Sequence, residues 1–303
     1  MMRTTLLFLS RRRWLRQWME TSSFAQPLTR RFIAGRTLQE ELAVCGRLES
    51  ENILATLDRL GENVSSVDES RASRDSYLQI LDNISSAGLR ATVSVKPTQL
   101  GLALGHDLCL ENISALVERA RSLSSAVEID MEESEYVDRT LRIVTAAHQR
   151  FGSVRAVIQA YLFRSEGDIT TLNAAGIPVR LVKGAYREPH TVAWPRKRDV
   201  DASYLRLTRQ LLEYGTDPAI ATHDAAILAE TTRWAAARSL PRRGFEFQML
   251  YGIRRDLQRQ LVAEGYRVRL YVPYGDAWYP YFMRRLAERP ANVIFLARNM
   301  LHG

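Results

Sequence analysis

The sequence predicts an α/β chain closed into a (β/α)8 TIM-type barrel, preceded by extra N-terminal helices. Three observations carry this expectation. Eight short runs rich in β-branched residues recur along the chain, longer amphipathic stretches alternate with them, and no Ser/Gly linker or low-complexity tract divides the sequence. Alternating strand and helix signals predict a parallel sheet with crossover connections. Eight such units over roughly 240 residues match the size of a closed barrel.

The eight runs are Ile53–Leu57, Ala91–Val95, Ala126–Ile129, Ala156–Ala160, Val179–Val182, Ala219–Thr222, Phe245–Met249 and Val268–Val272. Between them lie amphipathic stretches such as Ser114–Arg121, Glu135–Arg150, Tyr204–Tyr214 and Ile253–Glu264. An open doubly wound sheet is the structural alternative. It carries a glycine-rich phosphate turn after its first strand, whereas this first run leads into Leu60, Gly61, Glu62 and Asn63, and no GxGxxG is present. Residues 1–50 read as helices packed outside the barrel, and residues 51–303 as the catalytic barrel itself.

Composition narrows the class. Hydrophobic residues make up 46% and charged residues 25% of the 303, which suits a soluble globular protein. No stretch approaches the roughly 18 apolar residues of a membrane span. The two cysteines, Cys45 and Cys109, are far apart and form no CxxC pair, which argues against a disulfide framework and a thiolate zinc site. The apolar run Leu6 to Leu9 is too short for a signal peptide and precedes its basic residues, so the chain reads as cytoplasmic. The formal charge of +8 is concentrated in residues 1–36, which hold eight arginines against one glutamate. No basic patch interleaved with aromatics follows, so nucleic acid is not expected as a partner. Within that segment Trp14, Leu15, Trp18 and Met19 suit one face of a basic helix, either packed on the barrel or resting on a membrane surface.

Strand side chains alternate between two faces. Polar residues that break the apolar pattern near the C-terminal strand ends of a barrel line its active site. Here Ser94 shares a face with Lys96, Glu128 with Asp130, Arg155 with Gln159, Glu246 with Gln248, and Arg269 with Tyr271, while Arg180 breaks the fifth strand and His223 follows the sixth. Any one of these is more often a cap or an ion pair. A rim carrying Lys96, Asp130 and Arg180 together is a candidate site, because buried charges are costly unless paired or used. Beyond the last strand, Tyr281, Arg284, Arg285 and Glu288 fall at i, i+3, i+4 and i+7 on one helical face. Two adjacent guanidinium groups suit recognition of a carboxylate. The same spacing suits a solvated face with an Arg–Glu pair. The histidines show no HExxH or other metal spacing, so no metal is expected.

Seven motifs occur in order: Ser94–Gly101 (SVKPTQLG), Glu128–Glu133 (EIDMEE), Val157–Tyr161 (VIQAY), Arg180–Tyr186 (RLVKGAY), Ala221–Asp224 (ATHD), Phe245–Gly252 (FEFQMLYG) and Tyr281–Glu288 (YFMRRLAE). Together they resemble the proline dehydrogenase family, in its short monofunctional bacterial form, from about Arg31 almost to the C-terminus. The resemblance implies a distorted (β/α)8 barrel with FAD at the C-terminal strand ends. It implies oxidation of L-proline to Δ1-pyrroline-5-carboxylate, with electrons passed to a quinone and so peripheral contact with a membrane surface.

By matched position, the resemblance implies that Arg284 and Arg285 grip the proline carboxylate and that Lys96 contacts the substrate. Tyr271 and Tyr281 shape the proline pocket, and Glu288 ties the last helix to the site. Asp130 is implied as an acidic residue needed for activity, and Arg180 as the arginine beside the reactive edge of the flavin. Met131, Gln159, Lys183, Gly184, Ala185, Arg196, Thr222 and His223 are implied as FAD contacts. The sequence departs from the fused bifunctional enzymes at Arg187, where those tend to carry tryptophan. Two rivals remain on the residues alone. One is a flavin-free barrel enzyme acting on an anionic substrate such as a phosphate ester. The other is a basic binding module, for which a polar barrel interior has no use.

Overall fold

The computed structural model describes residues 31–61 and 64–288. The expectations for residues 1–30, including the Trp14 and Trp18 face, and for residues 289–303 lie outside this range. The elements are α1 (Leu38–Ser50), β1 (Leu54–Arg59), α2 (Val67–Ser86), β2 (Ala91–Val95), α3 (His106–Ser122), β3 (Val127–Ile129), α4 (Val137–Phe151), β4 (Val154–Gln159), α5 (Ser165–Ala174), β5 (Val179–Val182), α6 (Lys197–Tyr214), β6 (Ala219–Ala221), α7 (Ala225–Ala237), β7 (Glu246–Leu250), α8 (Arg255–Ala263), β8 (Arg267–Tyr274) and α9 (Trp278–Glu288). Each predicted run forms a strand, and the strands close in chain order into one parallel barrel. β1 meets β8 with Leu54 opposite Arg269 and Arg59 opposite Tyr274.

Local chemistry sets the boundaries. α1 starts at a capping box, in which Thr37 accepts from the Glu40 N–H and the Glu40 carboxylate accepts from the Thr37 N–H. Ser66 caps α2 and Asp224 caps α7 in the same acceptor role. Pro97 ends β2 and opens a 3-10 turn, Pro97–Leu100. Among the described residues no helix is long and apolar enough to cross a membrane.

The outward faces of the strands are apolar. Val93, Val95, Val127, Ile129, Leu181, Phe247 and Leu270 are buried in a core shared with Tyr77, Ile80 and Leu81 of α2 and with Ile113, Leu116 and Val117 of α3. Each large side chain so buried stabilises the fold by ~1.5–3 kcal/mol.

The interior of the barrel is polar and ionic. Glu128 is 1% exposed and accepts from the Thr56 hydroxyl at 2.8 Å, the Thr92 hydroxyl at 3.0 Å and the Gln248 amide at 3.2 Å. It pairs with Arg180 at 3.0 Å. β3 and β7 are not neighbours, so the bond from Gln248 to Glu128 crosses the lumen. Glu246 pairs in turn with Arg269 at 2.9 Å. Interior and exterior thus follow the alternation read from the sequence, with Glu128, Arg180, Gln248 and Arg269 inward.

α9 packs differently from the other helices. Its Trp278, Tyr279, Tyr281, Phe282 and Met283 form a second apolar cluster with Phe32, Ile33, Leu60 and Ile253. Leu60 follows the end of β1 and Ile253 follows the end of β7. The helix therefore lies against the C-terminal mouth of the barrel.

Burial alone would raise the Glu128 pKa, but the guanidinium groups of Arg180, Arg155 and Arg269 outweigh it and hold the carboxyl at about 2. A depressed carboxyl contributes stability that is present above its unfolded value, near 4.5, and is lost as pH falls toward about 2. Glu128→Ala leaves two arginines without their shared anion and is expected to lower the unfolding free energy by ~3–5 kcal/mol in urea titrations. The wild-type loss of stability between pH 4.5 and 2 should be smaller in that variant.

Candidate active site

The interior network rises to the C-terminal mouth and ends on Arg180. This residue is 3% exposed. Its Nη2 donates to the Ser94 hydroxyl at 2.9 Å and to Asp130, and its Nη1 donates to Gln248 at 3.3 Å. Its guanidinium carbon stands 5.4 Å from the Tyr271 ring centroid. Burial opposes the Arg180 charge, but Glu128 and Asp130 more than compensate and raise its pKa.

Asp130 is the meeting point of four elements. It follows β3, pairs with Arg180 of β5, and accepts from Ser94 of β2 at 3.0 Å and from the Tyr271 hydroxyl of β8 at 2.9 Å. Burial, then the Asp130 and Asp58 carboxylates, push the Tyr271 phenol far above its ordinary range and keep it a donor. Asp58 completes the group at the end of β1. It is 1% exposed and pairs with Lys96 at 3.4 Å. Burial raises its pKa, with the Asp130 charge adding to the rise, while Lys96 pulls the other way. Lys96, Asp130, Arg180 and Tyr271 are therefore gathered at one end of the barrel.

The residues expected to hold a cofactor lie around the same mouth. Met131 is buried beside Asp130, and the Gln159 amide donates to the Glu132 carbonyl at 2.9 Å. Lys183 follows β5 and donates to Asp201 of α6 at 2.6 Å and to Asp224, the cap of α7, at 3.0 Å. Those two carboxylates, held low by Lys183 against the effect of burial, tie the loop after β5 to two helices. Gly184 has φ +111°, and a Cβ there would stand 2.3 Å from the Tyr161 ring. Both the backbone angle and the ring require glycine. Ala185 beside it is exposed.

Thr222 is buried and accepts from the Asp224 N–H at 3.1 Å. His223 Nε2 accepts from the Leu250 N–H at 2.8 Å, which assigns its proton to Nδ1. Arg196 sits on the exposed start of α6 and pairs with Asp199 at 2.7 Å. Tyr281 is buried in the cluster at the mouth. The backbone of Arg284, Arg285 and Glu288 continues α9, and their side chains lie outside the described part of the structure. Among the described residues no group of His, Cys, Asp or Glu could hold a metal ion.

Sequence reading missed Asp58 and Glu132. Bounding the first strand at Leu57 left out Asp58, although it shares the face of Thr56 and belongs to β1. Glu132 follows β3 and looks like one more acid of EIDMEE, yet it is 3% exposed and accepts from both the Thr98 N–H at 2.8 Å and the Thr98 hydroxyl at 2.7 Å.

Residues 42–298 match the family described as "Proline dehydrogenase". The proline dehydrogenase of Deinococcus radiodurans is 41% identical over 281 residues, 91% of each chain. Proline dehydrogenase 1 of Bacillus subtilis is 39% identical over 302 residues, 99% of each chain. Among solved structures, proline utilization A from Bdellovibrio bacteriovorus inactivated by N-propargylglycine superposes with a TM-score of 0.81 at 26% identity. That match covers 87% of this chain and 33% of the longer protein. With its closed barrel and its charged mouth, the chain belongs to the proline dehydrogenase family, oxidoreductases that act on the CH–NH group of proline.

Proposed function

We propose that the chain oxidises L-proline to Δ1-pyrroline-5-carboxylate with bound FAD as the first electron acceptor and a quinone as the next. The observation that carries this is the Arg180–Asp130–Tyr271 set, with Arg180 buried, at the mouth of a barrel of this family. The residues fit a flavin on one point of geometry. The Arg180 Nε–H is buried and meets no acceptor among the described residues. A buried donor left so costs ~1–3 kcal/mol, and an acceptor atom on the cofactor ring would remove that cost.

In the reaction, the proline ring C–N bond becomes C=N on the side of nitrogen away from the carboxylate-bearing carbon. When bound, the flavin supplies the two-electron sink that no side chain offers. The chain's own residues position the substrate. Arg284 and Arg285 grip the carboxylate, Lys96 contacts the same end, and Tyr271 and Tyr281 enclose the ring. Glu288 holds α9 in place. Arg180, fixed by Asp130 and Glu128, keeps a cation against the flavin at its reactive edge. Asp130 serves through Arg180 and Tyr271. Met131, Gln159, the Lys183–Ala185 loop, Arg196, Thr222 and His223 hold the rest of the cofactor. A quinone acceptor places the enzyme in the cytoplasm in peripheral contact with the inner face of a membrane.

Anaerobic visible spectra test this reading. The purified protein should show an oxidised flavin band that bleaches on adding L-proline. A protein that takes up no FAD, or a band indifferent to proline, would sink the reading. Arg284→Lys keeps the charge but loses the fork geometry. Its KM for proline should rise on the order of tenfold with FAD still bound. Unchanged steady-state kinetics would remove Arg284 from the clamp. In Gly184→Ala, the new methyl group must displace the Tyr161 ring. A thermal melt should show a loss of ~1–3 kcal/mol, accompanied by weaker FAD retention on gel filtration.

A further inference from the structure

Three site strands end side by side at the mouth, and one residue, Glu132, makes contact with the other two through its side chain and its backbone. Glu132 follows β3 by three residues and is buried. Its carboxyl accepts the backbone N–H and the hydroxyl of Thr98, two residues beyond Lys96. Its own carbonyl accepts from Gln159, the last residue of β4, at 2.9 Å. Thr98, Glu132 and Gln159 are 1%, 3% and 2% exposed, so water does not compete for these bonds. Site residues lie close by along the chain: Lys96 before Thr98, and Asp130 and Met131 before Glu132.

We propose that Glu132 is a positioning residue whose carboxyl ties the end of β2 to the chain leaving β3 and so sets Lys96 and Met131 in register for proline and flavin. It touches neither ligand and acts through Thr98. The inference rests on the proline and flavin reading above.

The ionisation of Glu132 gives the proposal a signature. Burial raises its pKa to about 7, against the hydrogen bonds of Thr98 and the Lys96 charge, with Glu133 adding to the rise. The other groups around it are Cys109 of α3, whose thiol is raised by burial and by the Glu132 charge, and Tyr136 with Arg139 at the start of α4. Below about pH 7 the two Thr98 contacts involve a neutral acid, and above it they are charge-assisted, roughly twice as strong. Glu132→Gln keeps a carbonyl for the Thr98 N–H and an amide donor for its hydroxyl, but cannot ionise. Glu132→Ala removes both contacts.

The test measures the Kd of FAD for the apoprotein, by quenching of flavin fluorescence, and KM and kcat for L-proline, from about pH 6 to about pH 8. In Glu132→Ala, Kd and KM should both rise about tenfold at every pH, with kcat moving less. Glu132→Gln should match wild type at the acid end, and the ratio of its Kd to the wild-type Kd should grow several-fold toward the alkaline end. A folded Ala variant with wild-type Kd and KM overturns the proposal. So does a Gln-to-wild-type ratio that is constant with pH, and this arm decides alone where the Ala variant does not fold. A wild-type apoprotein that binds no FAD at any pH overturns the functional reading first, and the inference with it.

Discussion

The pairing of Arg180 with Glu128 inside the barrel is the contact on which the rest of the site depends. Two charges with almost no solvent access persist only when each is matched and hydrogen-bonded. Glu128 meets this condition through Thr56, Thr92, Gln248 and Arg180, which come from four different strands. A partial version of the network leaves a buried charge unmatched, at a cost that favours closure of the strands in one register. An apolar barrel core would tolerate sliding and repacking, whereas an ionic one does not.

That constraint delivers the chemistry. Because Arg180 is shared between Glu128 below and Asp130 above, its position at the mouth follows from the position of the barrel wall. Asp130 then sets Tyr271, and Tyr271 lies between Asp130 and Asp58, which pairs with Lys96. Positioning catalysis needs side chains held tightly before the substrate arrives. Here the rigidity comes from the same buried charges that hold the fold together. The loop after β5 is fixed separately, by Lys183 across Asp201 and Asp224 and by Gly184 under the Tyr161 ring.

Much of this was legible in the sequence, for local reasons. The eight strands show as β-branched runs, and period-two alternation marks Glu128, Arg180, Gln248 and Arg269 as facing one way. The seven ordered motifs carry the family. What escaped depends on contacts distant in the chain or on an element boundary. Asp58 fell one residue beyond the first run as bounded. Glu132 carried no signal of its own because strand alternation stops at Ile129, and its burial comes with the contacts it makes to Thr98 of the 3-10 turn. The partners of Lys183 lie 18 and 41 residues further along, and no spacing rule joins them. Gly184 was expected as an FAD contact, and the fold supplies its own reason for glycine there in the Tyr161 ring.

The most direct test of this account is the single-turnover rate at which L-proline reduces the flavin in Glu128→Gln. The substitution keeps the size and hydrogen-bonding reach of the side chain, lies below the mouth, and removes, of the two charges paired with Arg180, the one that lies inside the barrel. If the interior ion pair sets the site, the variant should fold and bind flavin while the rate falls on the order of tenfold. A folded variant that reduces its flavin at the wild-type rate would contradict the account, because Arg180 would then hold its place without the charge beneath it.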